Sequence, residues 1–230
     1  MRSVQEQSYP NVEHLLVDGG STDETLAIIS KYQRPSLTVV SDPDEGIYDA
    51  MNRGLQRASG EIICFLNSDD YYTSAGALAF VAKQIHDFQL DVFLADVAFF
   101  RPGVPHKKVR RYQARRFKPK GLAWGWMPAH PALFAKRSVY EKFGRFDTSF
   151  KIAGDFEWIV RAFKDDTLRY KHLPQVLVKM QTGGVSTRGL SSTWTLNQEV
   201  IRACRQNGVY TNWWMILSKY PRKLVEYVLN

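Results

Sequence analysis

Three short, continuously apolar runs limit what this chain can fold into: His14–Asp18 (HLLVD), Leu37–Ser41 (LTVVS) and Glu61–Asn67 (EIICFLN). Runs of this length without polar alternation suit strands buried on both faces, as in parallel sheets. The stretches between them carry helix signals. Ser21-Thr22-Asp23-Glu24 reads as a capping box with Ser21 as N-cap, ahead of Leu26, Ile28, Ile29 and Tyr32, and Pro35 closes the segment. From Ile47 to Ala58 one helical side collects Ile47, Ala50, Met51, Gly54, Leu55 and Ala58, and the small pair Ala50 and Gly54 lets it approach a sheet closely. A helix over Ser74–Phe88 and a strand over Asp91–Ala95 follow. Such alternation predicts the α/β class, with a mostly parallel sheet flanked by helices.

Beyond residue 96 the pattern loosens. Lysines and arginines crowd the chain from Arg101 to Lys120, no acid occurs between Asp96 and Glu141, and Pro102, Pro105 and Pro119 suggest a loop. Helices are predicted over Ser138–Phe143, stopped by Gly144, over Asp155–Phe163 and over Trp194–Gln206, with an amphipathic tail from Trp213 to Leu229. Residues 1–96 and 97–190 then form two halves of one domain, and residues 191–230 a helical tail. The 230-residue length is enough for one sizeable core.

A formal charge of +8 calls for anionic partners. The two cysteines, Cys64 and Cys204, argue against a disulfide framework and fit a reducing compartment. The N-terminus lacks the apolar segment of a signal peptide, and no run approaches the roughly 20 apolar residues that span a bilayer. The expected location is cytoplasmic, at the inner face of the cell membrane.

Ligands of α/β sheets bind beyond the carboxyl ends of the strands, where two acidic features fall. Asp18 closes the first apolar run, just before Gly19-Gly20-Ser21, and Asp69-Asp70 follow the run ending at Asn67. Adjacent carboxylates stay ionised together only beside a cation or strong donors. Carboxylates plus substrate phosphates are a common way to hold Mg2+ or Mn2+. A turn capping the next helix is the alternative.

Read in order, VDGGSTDET, DEGIYDAMNRG, GEIICFLNSDD, HPALFAKRSVYEKFGRFD and IAGDFEW resemble the family 2 glycosyltransferases of GT-A fold, and among them bacterial members that build surface polysaccharides. The resemblance spans about residues 3 to 187. It implies that residues 1–96 bind a nucleotide-sugar, with Asp18 on the base and Asp49 and Asn52 beside the nucleotide. It implies Asp70 on the metal and Asp69 on ribose or metal, with Mn2+ or Mg2+ as cofactor. Asn67 stands where many relatives carry Asp. Asp155 is the implied base, with Gly154 in place of a common Glu, and an N-cap role for Asp155 is the plainer alternative. Glu157 and His130 are acceptor-side candidates, and Gly183-Gly184-Val185-Ser186 resembles a loop over the diphosphate. The implied reaction is inverting transfer from a UDP-sugar donor to a hydroxyl of a glycan or lipid-linked acceptor. Two alternatives stand: a nucleotide-sugar-binding relative without activity, and a nucleic-acid binder stacking bases on Tyr112, Phe117 and Trp124. The second lacks any nucleic-acid module, so no nucleic acid is expected. The basic stretch and the Trp-rich tail suggest peripheral membrane contact. Relatives open with an apolar strand before Met1-Arg2-Ser3-Val4, and that strand is expected to be missing here.

Overall fold

The structure, a computed structural model, describes residues 1–183 and 189–220. The first part runs α1 (Arg2–Gln5), β1 (His14–Asp18), α2 (Thr25–Ser30), β2 (Leu37–Ser41), α3 (Ile47–Arg57), β3 (Ile62–Ile63), β4 (Tyr71–Tyr72) and α4 (Ala77–Asp87). It continues β5 (Val92–Arg101), β6 (Val104–Tyr112), β7 (Leu133–Lys136), α5 (Arg137–Phe143), α6 (Gly154–Phe163), β8 (Tyr170–Gln181), α7 (Leu190–Gln206) and α8 (Trp213–Leu217). Three 3-10 turns, Ala114–Arg116, Pro119–Trp124 and His130–Ala132, connect β6 to β7.

Two sheets result. β1 and β2 pair in parallel, from His14 opposite Leu37 to Asp18 opposite Ser41. The second sheet has six strands in the order β3-β7-β5-β8-β4, with β6 on β5. The α/β architecture is as expected, but the sheet is mixed. Among the described pairs only β1–β2 and β5–β8 are parallel, and the other four are antiparallel. The runs of β1 and β2 do pair in parallel, but they are not buried on both faces as expected: only Asp18 in β1 and Leu37 in β2 are buried.

The basic stretch expected as a loop forms strand β6. β5 turns back through Pro102-Gly103, with Gly103 at φ +74°, and a strand returning through a tight turn must run antiparallel. Among the described residues β6 has β5 as its only strand neighbour, and an edge strand tolerates Pro105. β8, which no local pattern marked, lies parallel to β5. Its ladder skips between Leu94–His172 and Asp96–Val176, and Pro174, which lacks an N–H, falls inside that gap. The run Glu61–Asn67 keeps ladder pairing only at Ile62–Ile63, because the rest of it has no adjacent strand.

β5 divides the core. Val92 and Leu94 face a cluster with Val139, Trp158, Ile159, Val200 and Cys204 from α5, α6 and α7. Phe93, Ala95 and Val97 face a cluster with Val81 and Ile85 of α4. This two-residue alternation puts helices on both sides of the sheet. Asp96 is wholly buried and binds Arg111 at 2.7 Å, the Ala114 amide at 2.8 Å and His172 Nε2 at 3.1 Å. A buried carboxylate persists where such donors surround it, and here it fixes the first 3-10 turn to the sheet. Among the described residues, no helix is long and apolar enough to cross a membrane.

Candidate active site

Asp18 ends β1, buried at 7% exposure. Its Oδ2 accepts from the Gly20 and Ser21 amides at 3.2 and 3.0 Å and from the Ser41 hydroxyl at 2.6 Å; its Oδ1 accepts from the Ser21 hydroxyl. The hydroxyls of Ser21 and Ser41 hold this carboxyl below the usual carboxylate range. Ser21 is therefore not the expected N-cap. It turns toward Asp18, and α2 starts only at Thr25, whose amide donates to Asp23 Oδ1 at 2.9 Å. At Gly19 a Cβ would lie 2.5 Å from Asp44 Oδ2, so a larger residue there would push the Asp44 side chain aside.

Asn67 to Asp70 make a turn closed by the Asp70 amide on the Asn67 carbonyl at 3.1 Å. Asp69 is exposed and Asp70 buried. Asp70 accepts from Asn67 Nδ2 at 3.1 Å and from the Gln181 amide at 3.3 Å. Burial first, and the Asp69 charge next, push its carboxyl up to about 7. Among the described residues neither carboxylate has an ion-pair partner. A buried carboxyl raised by its acidic neighbour, with hard oxygen donors and no basic side chain, fits a divalent cation. No cluster of three His, Cys, Asp or Glu side chains converges among the described residues, so further ligands would come from a bound phosphate or water.

Asp155 lies in the first turn of α6, whose N-cap is Ala153. It is one position inside the helix and does not cap it. Its Oδ1 accepts from the Phe156 amide at 2.8 Å and lies 3.2 Å from the Tyr48 hydroxyl. That hydroxyl donates to the Ile152 carbonyl at 2.6 Å. Burial, and then the Asp155 charge, raise the Tyr48 phenol, which therefore stays protonated. Gly154 is explained by the same ring: a Cβ there would lie 2.8 Å from Tyr48 Cδ2 and Cε2. The glutamate common at this position in relatives has no room.

His130 opens the third 3-10 turn and is buried. It stacks on Phe65 with centroids 5.4 Å apart and meets Phe146 edge-on at 5.6 Å. Burial lowers its basicity, and the Asp155 charge opposes that. Its Nε2 is buried without a hydrogen-bond partner among the described residues, an unusual state that a bound hydroxyl would relieve. Phe146 lies 6.0 Å from the Tyr48 ring. Phe65 also meets Phe146 edge-on at 5.3 Å, and in the sequence it stands two residues before Asn67.

Three expected site residues are engaged elsewhere. Asn52 pairs its amide with the Phe146 backbone, donating to the carbonyl and accepting from the amide, each at 2.9 Å. Asp49 forms an ion pair with Arg53 at 2.8 Å and caps the Glu45 amide at 3.2 Å. Glu157 is buried, binds Arg161 at 2.7 and 3.0 Å and accepts from Asn207 at 3.1 Å, so its carboxylate is already paired within the fold. Its partner four residues on was legible as a helical i,i+4 pair. Tyr48 was missed, although it stands inside GIYDAMNRG. Of the Gly183–Ser186 loop, Gly184, Val185 and Ser186 lie outside the described residues. Phe117 is buried against Phe163 at 5.0 Å, and Tyr112 donates to the Met127 carbonyl at 2.6 Å, so neither is a free stacking platform.

A cavity of about 510 Å3 opens beside the turns that follow β6. Its walls include Tyr112, Phe117, Trp124 and Trp126, with Lys118 and Lys120 at its margin and no acidic residue among its lining.

Comparison with known proteins gives the family and the fold. The family described as Glycosyl transferase family 2 matches residues 1–144. The PGL/p-HBAD biosynthesis glycosyltransferase of Mycobacterium bovis is 31% identical over 199 residues, covering 83% of this chain and 72% of that protein. Among solved structures, residues 1–349 of S. aureus TarS in complex with UDP-GlcNAc superpose with TM-score 0.64 at 19% identity, covering 88% of this chain and 60% of that one. The mannosyltransferase PcManGT from Pyrobaculum calidifontis, in complex with GDP-Man and Mn2+, gives 0.63 at 22% identity, covering 89% and 58%. The chain thus spans about three-fifths of the length of these solved chains, and at such identity they speak for the GT-A-like fold alone. By the profile match and the mycobacterial relative together, the chain belongs to glycosyl transferase family 2.

Proposed function

We propose that this chain transfers a sugar from a nucleoside diphosphate donor, with UDP as the nucleotide, to a hydroxyl of a glycan or lipid-linked acceptor, with inversion. The observation that carries the reading is the buried His130, its Nε2 unpartnered among the described residues, packed with Phe65 and Phe146 against Tyr48, which touches Asp155. Single displacement needs a base on the acceptor side and charge stabilisation on the leaving-group side, and the chain offers one carboxylate centre for each.

Asp155 takes the acceptor hydroxyl's proton as that oxygen attacks the anomeric carbon, a role generally worth about 100- to 10,000-fold in rate. His130 Nε2 holds the acceptor through a second oxygen. Asp18 binds the base, exchanging one of its serine partners for it, while Asn52 and Asp49 keep α3 in place beside the nucleotide. Asp70 and Asp69 would hold Mn2+ or Mg2+, which when bound supplies positive charge against the departing diphosphate.

The cavity lined by Trp124 and Trp126 suits the acceptor, since aromatic faces pack on sugar rings or an apolar anchor while Lys118 and Lys120 attract an anionic group. Trp214, Tyr210 and Trp194, exposed by 85%, 78% and 58%, would rest on a membrane surface that carries such an acceptor. Release from anionic vesicles at high salt tests that contact, and indifference to vesicles at low salt ends it.

The decisive experiment screens UDP- and GDP-sugars with Mn2+, Mg2+ or chelator, with product configuration read by NMR. Metal-dependent turnover with an inverted anomeric centre is the expected result. Retained configuration, or full turnover of Asp155→Asn, overturns the mechanism.

A further inference from the structure

Glu199 lies on α7, a helix outside the stretch that the family profile matches. It is buried at 8% exposure. Its carboxylate accepts three consecutive backbone amides: Lys151 on Oε1 at 2.7 Å, and Ile152 and Ala153 on Oε2, both at 2.8 Å. Three adjacent N–H groups converging on one carboxylate form an anion nest, and charge-assisted bonds of this kind are the strong ones. The nest immediately precedes α6, where the helix dipole also favours negative charge. Asp155 follows two residues after Ala153.

The geometry at Ile152 shows what the nest does. Its N–H is held by Glu199 from α7, and its C=O accepts the Tyr48 hydroxyl from α3 at 2.6 Å. Both ends of one residue are thus tied to different helices, and the Tyr48 ring closes on Gly154. The chain entering α6 cannot shift or rotate without breaking one of these bonds, so the bearing of the Asp155 carboxylate is set from outside its own helix.

We infer that Glu199 is a positioning residue for Asp155: its buried carboxylate gathers the 151–153 amides and so fixes the base against the acceptor hydroxyl. This rests on the reading of Asp155 as the base. Glu199 touches neither substrate nor reacting atoms in this role. It makes α7 part of the catalytic apparatus although it lies 44 positions after Asp155.

The test is a double-mutant cycle in the full chain with Glu199→Gln, Asp155→Asn and the double variant. Turnover, UDP affinity and amide hydrogen exchange of the 147–156 segment are measured on each. Gln keeps the shape of the side chain but turns an NH2 toward donors. Glu199→Gln is expected to lower kcat about 10- to 100-fold, as misplacement of a reacting group by about 1 Å does. UDP affinity should stay within about twofold, and exchange at 151–153 should rise. In the double variant turnover should fall no further than in Asp155→Asn, because residues that act as a unit are not additive. Glu199→Asp, charged but one methylene shorter, should lie between wild type and Glu199→Gln, and it carries the test if the Gln variant does not fold.

An inactive Asp155→Asn alongside a Glu199→Gln enzyme of normal kcat overturns the positioning role and leaves the base reading intact. So does a further loss in the double variant by the same factor as in the single one. Normal turnover of Asp155→Asn overturns the base reading itself, and the inference falls with it.

Discussion

The two-stranded ladder of β1 and β2 and the six-stranded sheet around β5 differ in what they bury. In β1 only Asp18 is buried; His14, Leu15, Leu16 and Val17 are all half-exposed. In β5 every residue from Val92 to Ala98 is buried, and Val92, Phe93 and Leu94 have no accessible surface. Yet the most recognisable motif of the nucleotide side, VDGGS, sits on the thinly packed ladder. Motif strength and packing density are therefore separable here. The six-stranded sheet supplies most of the buried apolar area, and the small ladder supplies a hydrogen-bonded corner. α3 bridges them: Gly54 comes close to Val17 of β1, while Tyr48, at the other end of the helix, holds the loop before Asp155.

Truncations in the two regions should separate most widely. Phe134 has no accessible surface, and Phe134→Ala should cost about 3–5 kcal/mol of stability through lost burial and the cavity left behind. Leu16→Ala, at a half-exposed site, should cost about 1 kcal/mol. Denaturant unfolding of both variants measures the gap. Equal losses would mean that β1 is packed as tightly as β5, and the comparison would be wrong.

A smaller effect is expected at the bridge. In Gly154→Ala the new Cβ meets the Tyr48 ring at 2.8 Å, and a buried ring yields little. The outcome should be a kcat loss of roughly 10- to 100-fold, equivalent to about 1.4–2.7 kcal/mol, with UDP affinity unchanged. Steady-state kinetics with calorimetry of UDP binding decides it. A variant with normal kcat would show that Tyr48 moves without consequence for Asp155.

What could be read in advance divides along the same line. β1, β2, α3 and α6 fall within a residue or so of their predicted bounds, because each is announced by a local apolar run or a helical face. The candidates Asp18, Asp69, Asp70 and Asp155 stand at the ends of such elements within ordered motifs, and their roles belong to the proposed function. β6 and β8 were not legible: VPHKKVRRY and YKHLPQVLVKMQ mix polar and apolar residues, and pairing with β5, for β8 also with β4, makes them strands. The bond that holds Asn52 was not legible for the same reason. Its partner, the Phe146 backbone, is 94 residues away, and nothing in GIYDAMNRG announces a long-range bond. Local chemistry was readable, but the contacts that orient it were not.

The smallest effect tests the ladder itself. Asp18 and Ser41 face one another across β1 and β2, and the Ser41 hydroxyl donates to Asp18 at 2.6 Å. With Ser21 first and Ser41 second, these hydroxyls depress the Asp18 carboxyl in the folded state. A depressed carboxylate contributes stability that is fully present above its unfolded pKa of about 3.9 and lost as pH falls through the folded value. Ser41→Ala removes one donor and moves the folded value back toward the unfolded one. The variant should be less stable than wild type by about 0.5–1 kcal/mol at pH 7. The two curves should draw together as pH falls through the depressed folded value, below which the carboxyl is protonated in both the folded and the unfolded state. Urea unfolding of both proteins from pH 7 down to pH 3 measures this. A difference that persists undiminished at pH 3 would mean that Ser41 acts through packing rather than through the Asp18 charge, and the corner would then be held together in the same way as the large sheet.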